Sequence, residues 1–493
     1  MEKYSLGIDI GSSSVKVSLL DIEGGKCVAA STNPSSEAPI TAIQKGWAEQ
    51  DPESWWGYIC DGVRDIALQH DISKVACIGI TYQMHGMVAV DGSIKPVRDA
   101  IIWCDSRAVG IGEEALRAIG YDKCMTHLLN SPGNFTASKL AWVKRNEPDI
   151  YRRIFKFMLP GDYIAYRLSG EVATTRTGLS EQILWDFKES RRADFVAEYY
   201  GIDKNLIPEE VPAIGFQCRT TAEVEKLLGI PAGTPVCYRA GDQPNNAFSL
   251  NVLKPGEIAT TGGTSGVVYG VTDVPKADSG SRVNTFIHVN DTDEAHRYGV
   301  LLCINGTGIM NSWTHHNVTP SLSYEEMNRQ AATVTPGSDG LLVLPFGNGA
   351  ERVLSNRSVG ARFVGIDLVR HKPAHILRAV QEGIAFSFRY GIDVMRELGL
   401  DLKVIRAGKA NLFLSPLFRS TLATLTGASI ELFDTDGSLG AARGGALGAG
   451  FYATPEEAFA TLSKVGEVQP EPQWAEALES SYSAWKEELA KSL

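Results

Sequence analysis

The chain opens on the stretch Ser5-Leu6-Gly7-Ile8-Asp9-Ile10-Gly11-Ser12-Ser13-Ser14-Val15-Lys16-Val17-Ser18-Leu19-Leu20. An apolar run, a four-residue polar turn and a second alternating run together predict a β-hairpin. The turn offers backbone N–H and hydroxyl groups from Gly11, Ser12 and Ser13 that can converge on a phosphate. Asp9 ends the first strand beside the turn, where a carboxylate can hold a metal ion on that phosphate. Alone, the stretch fits a phosphate-binding hairpin and an ordinary hairpin equally well.

A second stretch of the same design lies near the middle of the chain. It reads Glu257-Ile-Ala-Thr-Thr-Gly262-Gly263-Thr264-Ser265-Gly266-Val-Val-Tyr-Gly-Val271, again a strand, a Gly/Thr/Ser turn and a strand. Two hairpins of one design, each opening a half, predict a duplicated domain with ligand held between the copies. Chance similarity of two glycine-rich turns is the alternative. We expect domains over residues 1–246 and 247–493, joined by a structured hinge near Ala247.

Strand-like and helix-like segments alternate along the whole chain, which predicts an α/β fold. Residues 75–81 are typical of a short buried strand. Asp51 followed by Pro52 and an acidic first turn predicts the start of a helix. Residues 374–398 and 474–489 have helical periodicity, and the small-residue run at 440–450 predicts a closely packed helix.

The composition is typical of a water-soluble globular protein with more than one domain. The 493 residues are 44% apolar and 21% charged, which predicts two to four globular domains. A net charge of −11 argues against nucleic acid or an anionic membrane as partner. No leader sequence precedes the first strand, no apolar run is long enough to cross a bilayer, and the eight cysteines lack a Cys-x-x-Cys pair. These features predict a cytoplasmic protein with reduced thiols.

A candidate catalytic carboxylate stands at residue 242. Ala240-Gly241-Asp242-Gln243-Pro244 follows an apolar run, so Asp242 lies at a strand end, where ligands bind in α/β proteins. Such a carboxylate can accept a proton from a sugar hydroxyl as the hydroxyl attacks phosphorus. A turn-forming aspartate is the commoner alternative.

The segment after the strand at 75–81 is a candidate sugar site. It reads Thr81-Tyr82-Gln83-Met84-His85-Gly86. Gln83 and His85 could bond the hydroxyls of a sugar, and Met84 would supply an apolar wall. A structural histidine is the simpler alternative.

The sequence lacks the motifs that are typical of several other classes of enzyme. The chain contains no G-x-x-x-x-G-K-[ST], no G-x-G-x-x-G and no G-x-S-x-G. The histidine pairs at 315–316 and at 371 and 375 lack a further ligand, so we assign no protein metal site to them.

Together, these motifs resemble the FGGY carbohydrate kinases. The hairpin from Asp9, Thr136-Ala-Ser-Lys139-Leu-Ala-Trp142, Gly241-Asp242 and Gly263-Thr264-Ser265 occur in that family's order. Within the family, the chain is most similar to the xylulokinases through the segments at 47–56, 83–86, 102–107 and 159–163. The resemblance covers about residues 4–452.

The resemblance implies a two-domain actin-like ATPase fold, each domain with a ribonuclease-H-like core, in which ATP and a sugar meet in a cleft. It implies sugar binding by the first domain, near whose end Asp242 stands, and nucleotide binding by the second. The implied roles are Asp242 as catalytic base, Asp9 as the carboxylate on the Mg²⁺ side through water, and substrate binding by Gln83, Met84, His85 and Asp105. Nucleotide binding is implied for Gly11, Ser12, Ser13, Gly263, Thr264, Ser265, Gly306, Gly408 and Asn411.

Two segments depart from the family pattern. Ala407-Gly408-Lys409-Ala410 stands where a Gly-Gly-Gly-Ala run is usual, so a long charged side chain replaces a small one beside the nucleotide. Ala350-Glu351-Arg352-Val353-Leu354 replaces Gly-Glu-Arg-Thr-Pro, and no role is carried over to Arg352.

The sequence therefore predicts an ATP- and Mg²⁺-dependent kinase that phosphorylates the 5-hydroxyl of D-xylulose in pentose catabolism. Kinases of another ketopentose or of a polyol such as glycerol are the nearest alternatives. A non-catalytic or chaperone-like ATP-binding protein of the same clan is the alternative from another class. The sequence leaves the oligomeric state open, with a homodimer as one option.

Overall fold

The N-terminal hairpin is present in the computed structural model, which describes residues 2–493. Strand β1 (Tyr4–Ile10) pairs antiparallel with β2 (Val15–Asp21), and Ile10 faces Val15 across the predicted four-residue turn. The Gly11 N–H closes this turn by donating to the Ser14 carbonyl at 3.0 Å. The local prediction for this stretch is confirmed.

The remaining strands, in chain order, are β3 (Lys26–Asn33), β4 (Glu49–Gln50), β5 (Val75–Tyr82), β6 (Val88–Val90), β7 (Ala100–Ile101), β8 (Lys156–Met158), β9 (Ala173–Thr175), β10 (Trp185–Asp186), β11 (Arg191–Arg192), β12 (Glu209–Val211), β13 (Ile214–Arg219), β14 (Pro235–Gly241), β15 (Glu257–Gly262), β16 (Gly266–Thr272), β17 (Asn284–Ile287), β18 (Tyr298–Ile304), β19 (Leu342–Leu344), β20 (Arg362–Val364), β21 (Val404–Gly408), β22 (Ser429–Phe433) and β23 (Lys464–Val468).

The helices are α1 (Pro52–Ala67), α2 (Val109–Ile119), α3 (Tyr121–His127), α4 (Thr136–Asn146), α5 (Pro148–Tyr151), α6 (Pro160–Ser169), α7 (Arg176–Glu181), α8 (Asp194–Tyr200), α9 (Ala222–Leu228), α10 (Asp242–Ser249), α11 (Gly308–Val318), α12 (Tyr324–Ala331), α13 (Pro373–Glu397), α14 (Pro416–Thr426), α15 (Gly437–Gly448), α16 (Pro455–Phe459) and α17 (Pro472–Ala490). The predicted helices at 52, 374–398, 440–450 and 474–489 correspond to α1, α13, α15 and α17.

The chain folds into two units. Among the described residues, the first contains residues 2–251, 286–298 and 435–462, and the second contains residues 252–285, 299–434 and 463–493. Ala247, near which the sequence placed a hinge, lies inside α10, and the division falls after Asn251. The return of residues 435–462 to the first unit has no local signal in the sequence.

Two large sheets share one arrangement of strands. The first has the order β13-β14-β5-β1-β2-β3, in which β1 pairs antiparallel with β2 and parallel with β5, and β5 pairs parallel with β14. The second has the order β17-β18-β16-β15-β21-β22-β23, in which β15 pairs antiparallel with β16 and parallel with β21, and β21 pairs parallel with β22. The predicted α/β fold with a repeated hairpin is therefore confirmed.

Each sheet carries its own hydrophobic core. In the first unit, strand residues such as Ile8 and Ile80 pack with Trp55 and Ile59 of α1. In the second unit, Ile405 and Phe388 belong to a cluster that also includes Trp485 of α17. Full burial of a large apolar side chain stabilises a fold by roughly 1.5–3 kcal/mol, so each sheet is a rigid support for the loops at its strand ends.

Helix α15 packs directly on the backbone of the first sheet. A β-carbon at Gly7 of β1 would overlap the Ser438 carbonyl oxygen, and one at Gly79 of β5 would overlap that of Ala441. The Ser5 hydroxyl also donates to the Ala442 carbonyl at 2.6 Å. The small-residue run is thus a closely packed helix, as predicted, and it brings its own N-terminus to the end of β1.

No helix within residues 2–493 combines the length and the apolar character needed to cross a bilayer.

Candidate active site

Three carboxylates converge at the strand ends of the first sheet. Asp9 is the penultimate residue of β1, Asp242 is the first residue of α10 directly after β14, and Asp436 caps the N-terminus of α15. All three are only partly buried, so a ligand can reach them. A β-carbon at Gly437 would overlap an oxygen of Asp9, so α15 begins in contact with that carboxylate.

The cluster of Asp9, Asp242 and Asp436 concentrates negative charge. Desolvation and repulsion from Asp242 and Asp436 raise the pKa of Asp9 to about 7, against attraction from Lys16. The Lys16 ammonium donates to Asp436 at 2.6 Å. Desolvation raises the pKa of Asp436, but the hydrogen bonds from Lys16, Ser438 and the Leu439 N–H together outweigh it and hold that pKa below its usual value. Lys16 thus compensates the charge of Asp436 and part of that of Asp9, and repulsion between the remaining negative charges would be relieved by a nearby cation.

Asp242 has the properties of a general base. Desolvation raises its pKa to about 6, opposed by hydrogen bonds from the Gln243 backbone and side chain. A carboxyl group with this pKa is largely ionised at neutral pH and still basic enough to accept a proton. The neighbouring Asn245 amide donates to the Gly437 carbonyl at 2.9 Å and ties the start of α10 to the start of α15.

The predicted sugar segment lies against the residue that precedes this base. Met84 is 5% exposed, and a β-carbon at Gly241 would lie 2.5 Å from its Cγ. The structure therefore brings Met84 against the residue that precedes Asp242. Gln83 is buried, its Nε2 donates to Gln50 Oε1 at 3.1 Å, and its own Oε1 accepts no hydrogen bond within the described residues.

His85 has an unusual backbone and a tightly packed ring. Its φ of +61° is in the left-handed region, which is uncommon for residues other than glycine. Its ring packs edge-on against Phe135 at 4.7 Å between centroids and at a tilt against Phe286 at 5.4 Å. Its Nδ1 lies 3.2 Å from the Glu181 carbonyl oxygen. Residues with such strained backbones cluster at functional sites.

The carboxylate of Asp105 is already hydrogen-bonded to other groups of the protein. It has no exposed surface, and its carboxylate accepts hydrogen bonds from the Ala48 N–H at 2.6 Å and from the Arg107 guanidinium at 2.7–3.0 Å. The structure gives Asp105 a part in holding this loop together, and its direct contact with a substrate stays a prediction.

Hydrogen bonds that the backbone carbonyls of the first hairpin turn accept hold this turn in place. The Ser12 carbonyl accepts from Gln50 Nε2 at 2.7 Å, and the Ser13 carbonyl accepts from the Ala38 N–H. Within residues 2–493, the N–H groups of Ser12 and Ser13 donate no hydrogen bond. Successive free N–H groups in a tight turn form an anion-binding concavity, so this part of the structure is compatible with the predicted phosphate contact at Gly11, Ser12 and Ser13.

Three of the six predicted nucleotide residues of the second unit line a pocket of about 390 Å³. Gly263 and Thr264, from the turn of the second hairpin, line it together with Asn411, while Gly306, Ser265 and Gly408 do not. Lys409, the departure from the family pattern, is exposed. The pocket wall also includes Asn328 and Gln381, to which the sequence gave no role.

Two linked hydrogen bonds determine whether the side chains of the pocket wall offer donors or acceptors to a ligand. The Ser415 hydroxyl donates to Gln381 Oε1 at 2.6 Å, and Gln381 Nε2 donates to Asn328 Oδ1 at 2.8 Å. The 2.6 Å distance is typical of O–H···O rather than N–H···O bonds. The relay therefore leaves Asn328 with its amide N–H₂ as the group available to a ligand.

Glu351 supports the loop that contains Gly306. Its carboxylate is fully buried and accepts from the N–H groups of Asn305 and Gly306, both at 2.8 Å. Burial raises its pKa to about 7, against these two hydrogen bonds. The residue lies 45 positions or more along the chain from its partners, so no sequence spacing revealed it. The same holds for Glu181, whose carboxyl lies against Gly241.

Comparison with known proteins follows the same division. The N-terminal-domain model of the FGGY family of carbohydrate kinases matches residues 4–249, and its C-terminal-domain model matches residues 258–453. A xylulose kinase of Escherichia coli is 28% identical over 459 residues, which covers 93% of this chain and 92% of that protein.

Solved structures show the same fold over nearly the whole chain. The xylulose kinase of Rhodospirillum rubrum has a TM-score of 0.88 at 23% identity and covers 99% of each chain. The gluconate kinase of Lactobacillus acidophilus has a TM-score of 0.89 at 22% identity and covers 99% of this chain and 97% of its own. Proteins named for different sugars are thus equally similar in fold.

Proposed function

Because the chain belongs to the FGGY family of carbohydrate kinases, enzymes of the actin-like ATPase fold that use ATP as phosphate donor, we propose that it phosphorylates the 5-hydroxyl of D-xylulose. The observation that carries the proposal is the contact between Met84 of the sugar segment and Gly241, which precedes Asp242. This contact supports the proposal because a candidate sugar-binding side chain lies beside the residue that precedes a candidate base.

Asp242 is the proposed base. Its carboxylate accepts the proton of the sugar hydroxyl while the hydroxyl oxygen forms a bond to the terminal phosphorus of ATP. The bond between that phosphorus and the bridging oxygen breaks, and ADP leaves. A pKa of about 6 suits this role at neutral pH, because the group is ionised before the reaction and gains a proton during it.

We propose that Asp9 helps to position a magnesium ion that is held mainly by the nucleotide phosphates. No group of three His, Cys, Asp or Glu side chains within residues 2–493 is arranged to hold a metal ion by itself. Desolvation, and then repulsion from Asp242 and Asp436, raise the pKa of Asp9, and a nearby cation would relieve that repulsion. Asp9 would hold the ion, directly or through water, with Asp436 restrained by Lys16. When bound, Mg²⁺ would neutralise charge on the phosphates of the nucleotide.

The two hairpin turns are proposed to bind phosphate. Ser12 and Ser13 offer unbonded N–H groups, and the Thr264 carbonyl is already held by the Ile309 N–H at 3.0 Å, which fixes the second turn. Preorganised N–H donors stabilise the charge of a transferring phosphoryl group without rearrangement. We propose that Asn411 and the pocket beside it bind the base of the nucleotide.

D-xylulose is proposed as substrate because the Gln83-Met84-His85 segment resembles that of xylulokinases and the curated relatives at 26–28% identity carry that name. A panel of D-xylulose, D- and L-ribulose, D-gluconate and glycerol, each with ATP, tests the proposal through ADP formation. We expect the highest kcat/KM with D-xylulose. A higher value for gluconate or glycerol would replace the substrate and leave the family assignment standing.

A further inference from the structure

Helix α4 carries a buried lysine to which the reaction just proposed gives no task. Lys139, in the segment Thr136-Ala-Ser-Lys139, has no exposed surface. Its ammonium donates to the carbonyl oxygen of His85 at 2.7 Å and to that of Ile102 at 3.0 Å. One side chain thus joins two separate loops, one following β5 and the other following β7.

Both loops belong to the proposed sugar site. The first contains Gln83, Met84 and His85, and the second leads from Ile102 into Asp105. Asp105 in turn binds the Ala48 N–H and Arg107. The relative position of these loops therefore depends on the ammonium that bonds to both.

The bond to His85 restrains a strained residue. A non-glycine residue with a φ of +61° is held in this uncommon conformation by its surroundings. Lys139 holds the carbonyl side of His85, while Phe135 and Phe286 hold its ring. Without the ammonium, His85 would lose the hydrogen bond that favours this conformation.

The lysine is kept in the core without an ion pair. Among the described residues no carboxylate lies within salt-bridge distance of its Nζ, and the carboxylate of Asp105 is taken by Arg107. Desolvation lowers the pKa of Lys139 to about 7, against attraction from Asp105 and Glu181. Its hydrogen bonds to the two carbonyl oxygens offset part of the cost of burying it in the core.

We propose that Lys139 is a positioning residue that sets the affinity for the sugar by tying the left-handed His85 to Ile102. This inference rests on the proposed sugar-binding role of the Gln83–His85 segment. It predicts a larger loss for the sugar than for ATP, because His85 and Ile102 lie in the proposed sugar site, whereas the proposed base-binding pocket lies in the second unit and only the Ser12–Ser13 turn of the nucleotide site lies in the first.

The test compares Lys139→Met with Lys144→Met. Methionine is unbranched and only one atom shorter than lysine, and it removes the charged donor. Lys144 lies on the same helix and also bonds to backbone carbonyls, those of Tyr200 at 3.2 Å and of Gly201, neither of which belongs to the predicted sugar site. KM and kcat are measured for sugar and for ATP, together with the melting temperature.

We expect Lys139→Met to raise KM for the sugar roughly 10- to 100-fold, the range for one hydrogen bond to a charged group, with KM for ATP within about twofold of wild type. Lys144→Met should leave both KM values unchanged. Equal rises in both KM values, or an unchanged sugar KM with a lowered melting temperature, would show that Lys139 serves the fold alone and overturn the proposal.

A second variant and the choice of substrate ensure that the experiment decides the role of Lys139. If Lys139→Met does not fold, Lys139→Gln retains an amide donor and should show a smaller rise in sugar KM; an unchanged KM would contradict the proposal. The substrate is the member of the panel that wild type prefers. Should that differ from D-xylulose, the proposed substrate fails, while the split between sugar and ATP still decides the role of Lys139.

Discussion

Met84 packs so closely on Gly241 that a β-carbon at position 241 would lie 2.5 Å from Met84 Cγ and 2.7 Å from an oxygen of Glu181. Gly241 has a φ of −59°, which any residue adopts. A glycine is therefore required there by the close approach of two side chains and not by backbone conformation. That approach couples the sugar segment to the start of α10, where Asp242 stands.

Gly241→Ala should impair sugar binding. The added methyl group must displace Met84 or Glu181, and overpacking of this kind typically costs about 1–3 kcal/mol. We expect KM for the sugar to rise about tenfold or more, as measured in steady-state assays. Gly57→Ala in α1, where a β-carbon meets nothing within 4 Å, is the matched control and should leave KM unchanged. Equal KM values for the two variants would show that the contact does not matter.

Glu351→Gln should weaken nucleotide binding. The amide can accept from only one of the two N–H groups that Glu351 now binds, and its own N–H₂ would face the other donor. We expect KM for ATP to rise about tenfold, in line with the loss of a hydrogen bond to a charged group, and KM for the sugar to stay the same. Glu397→Gln, which removes an exposed partner of Arg282, is the control. A rise in sugar KM alone would contradict this role.

The raised pKa of Glu351 predicts that the free energy of unfolding depends on pH. The pKa of Glu351 is about 7 in the folded protein and 4.5 ordinarily, so the folded state binds more protons between these values. Its contribution to the free energy of unfolding is fully present below about pH 4.5 and is lost as pH rises through 7. Between pH 5 and 7, the melting temperature of wild type should fall relative to that of Glu351→Gln. A constant difference would mean that Glu351 is not perturbed.

Asp9→Asn should raise the Mg²⁺ requirement. Removing one of three carboxylates lowers the negative charge that favours a cation, and loss of such a group typically reduces metal affinity by about 10–100-fold. The half-saturating Mg²⁺ concentration, measured at saturating ATP and sugar, should increase accordingly. Asp61→Asn, an exposed residue of α1, is the control. An unchanged titration would make Asp9 a structural strand-end residue.

Local features of the fold were predictable from sequence because they depend on neighbours in the chain. Asp51 accepts from the Glu53 N–H as an N-cap should, and Pro52 begins α1. The turn of the first hairpin has the four residues that its Gly and Ser content indicated. These patterns fixed the strands and helices that carry Asp9, Asp242 and the sugar segment.

The supporting residues could not be found in this way because their partners are distant in sequence. Lys16 and Asp436 are 420 positions apart, and Lys139 meets His85 and Ile102 across 54 and 37 positions. Their residue types are ordinary for a strand, a helix cap and a helix. Only the packing of α15 on β1, and of α4 beside the loops after β5 and β7, gives these residues their tasks.

The most direct test of the account is the activity of Asp242→Asn across pH. Because the carboxylate must be ionised to accept a proton, wild-type kcat/KM for the sugar should fall as pH decreases through about 6. Asp242→Asn should lose about 10²–10⁴ in kcat and the dependence on that pKa, while sugar binding, measured by calorimetry, changes far less. A variant that keeps more than half of wild-type kcat, or the same acid limb, would show that Asp242 is not the base.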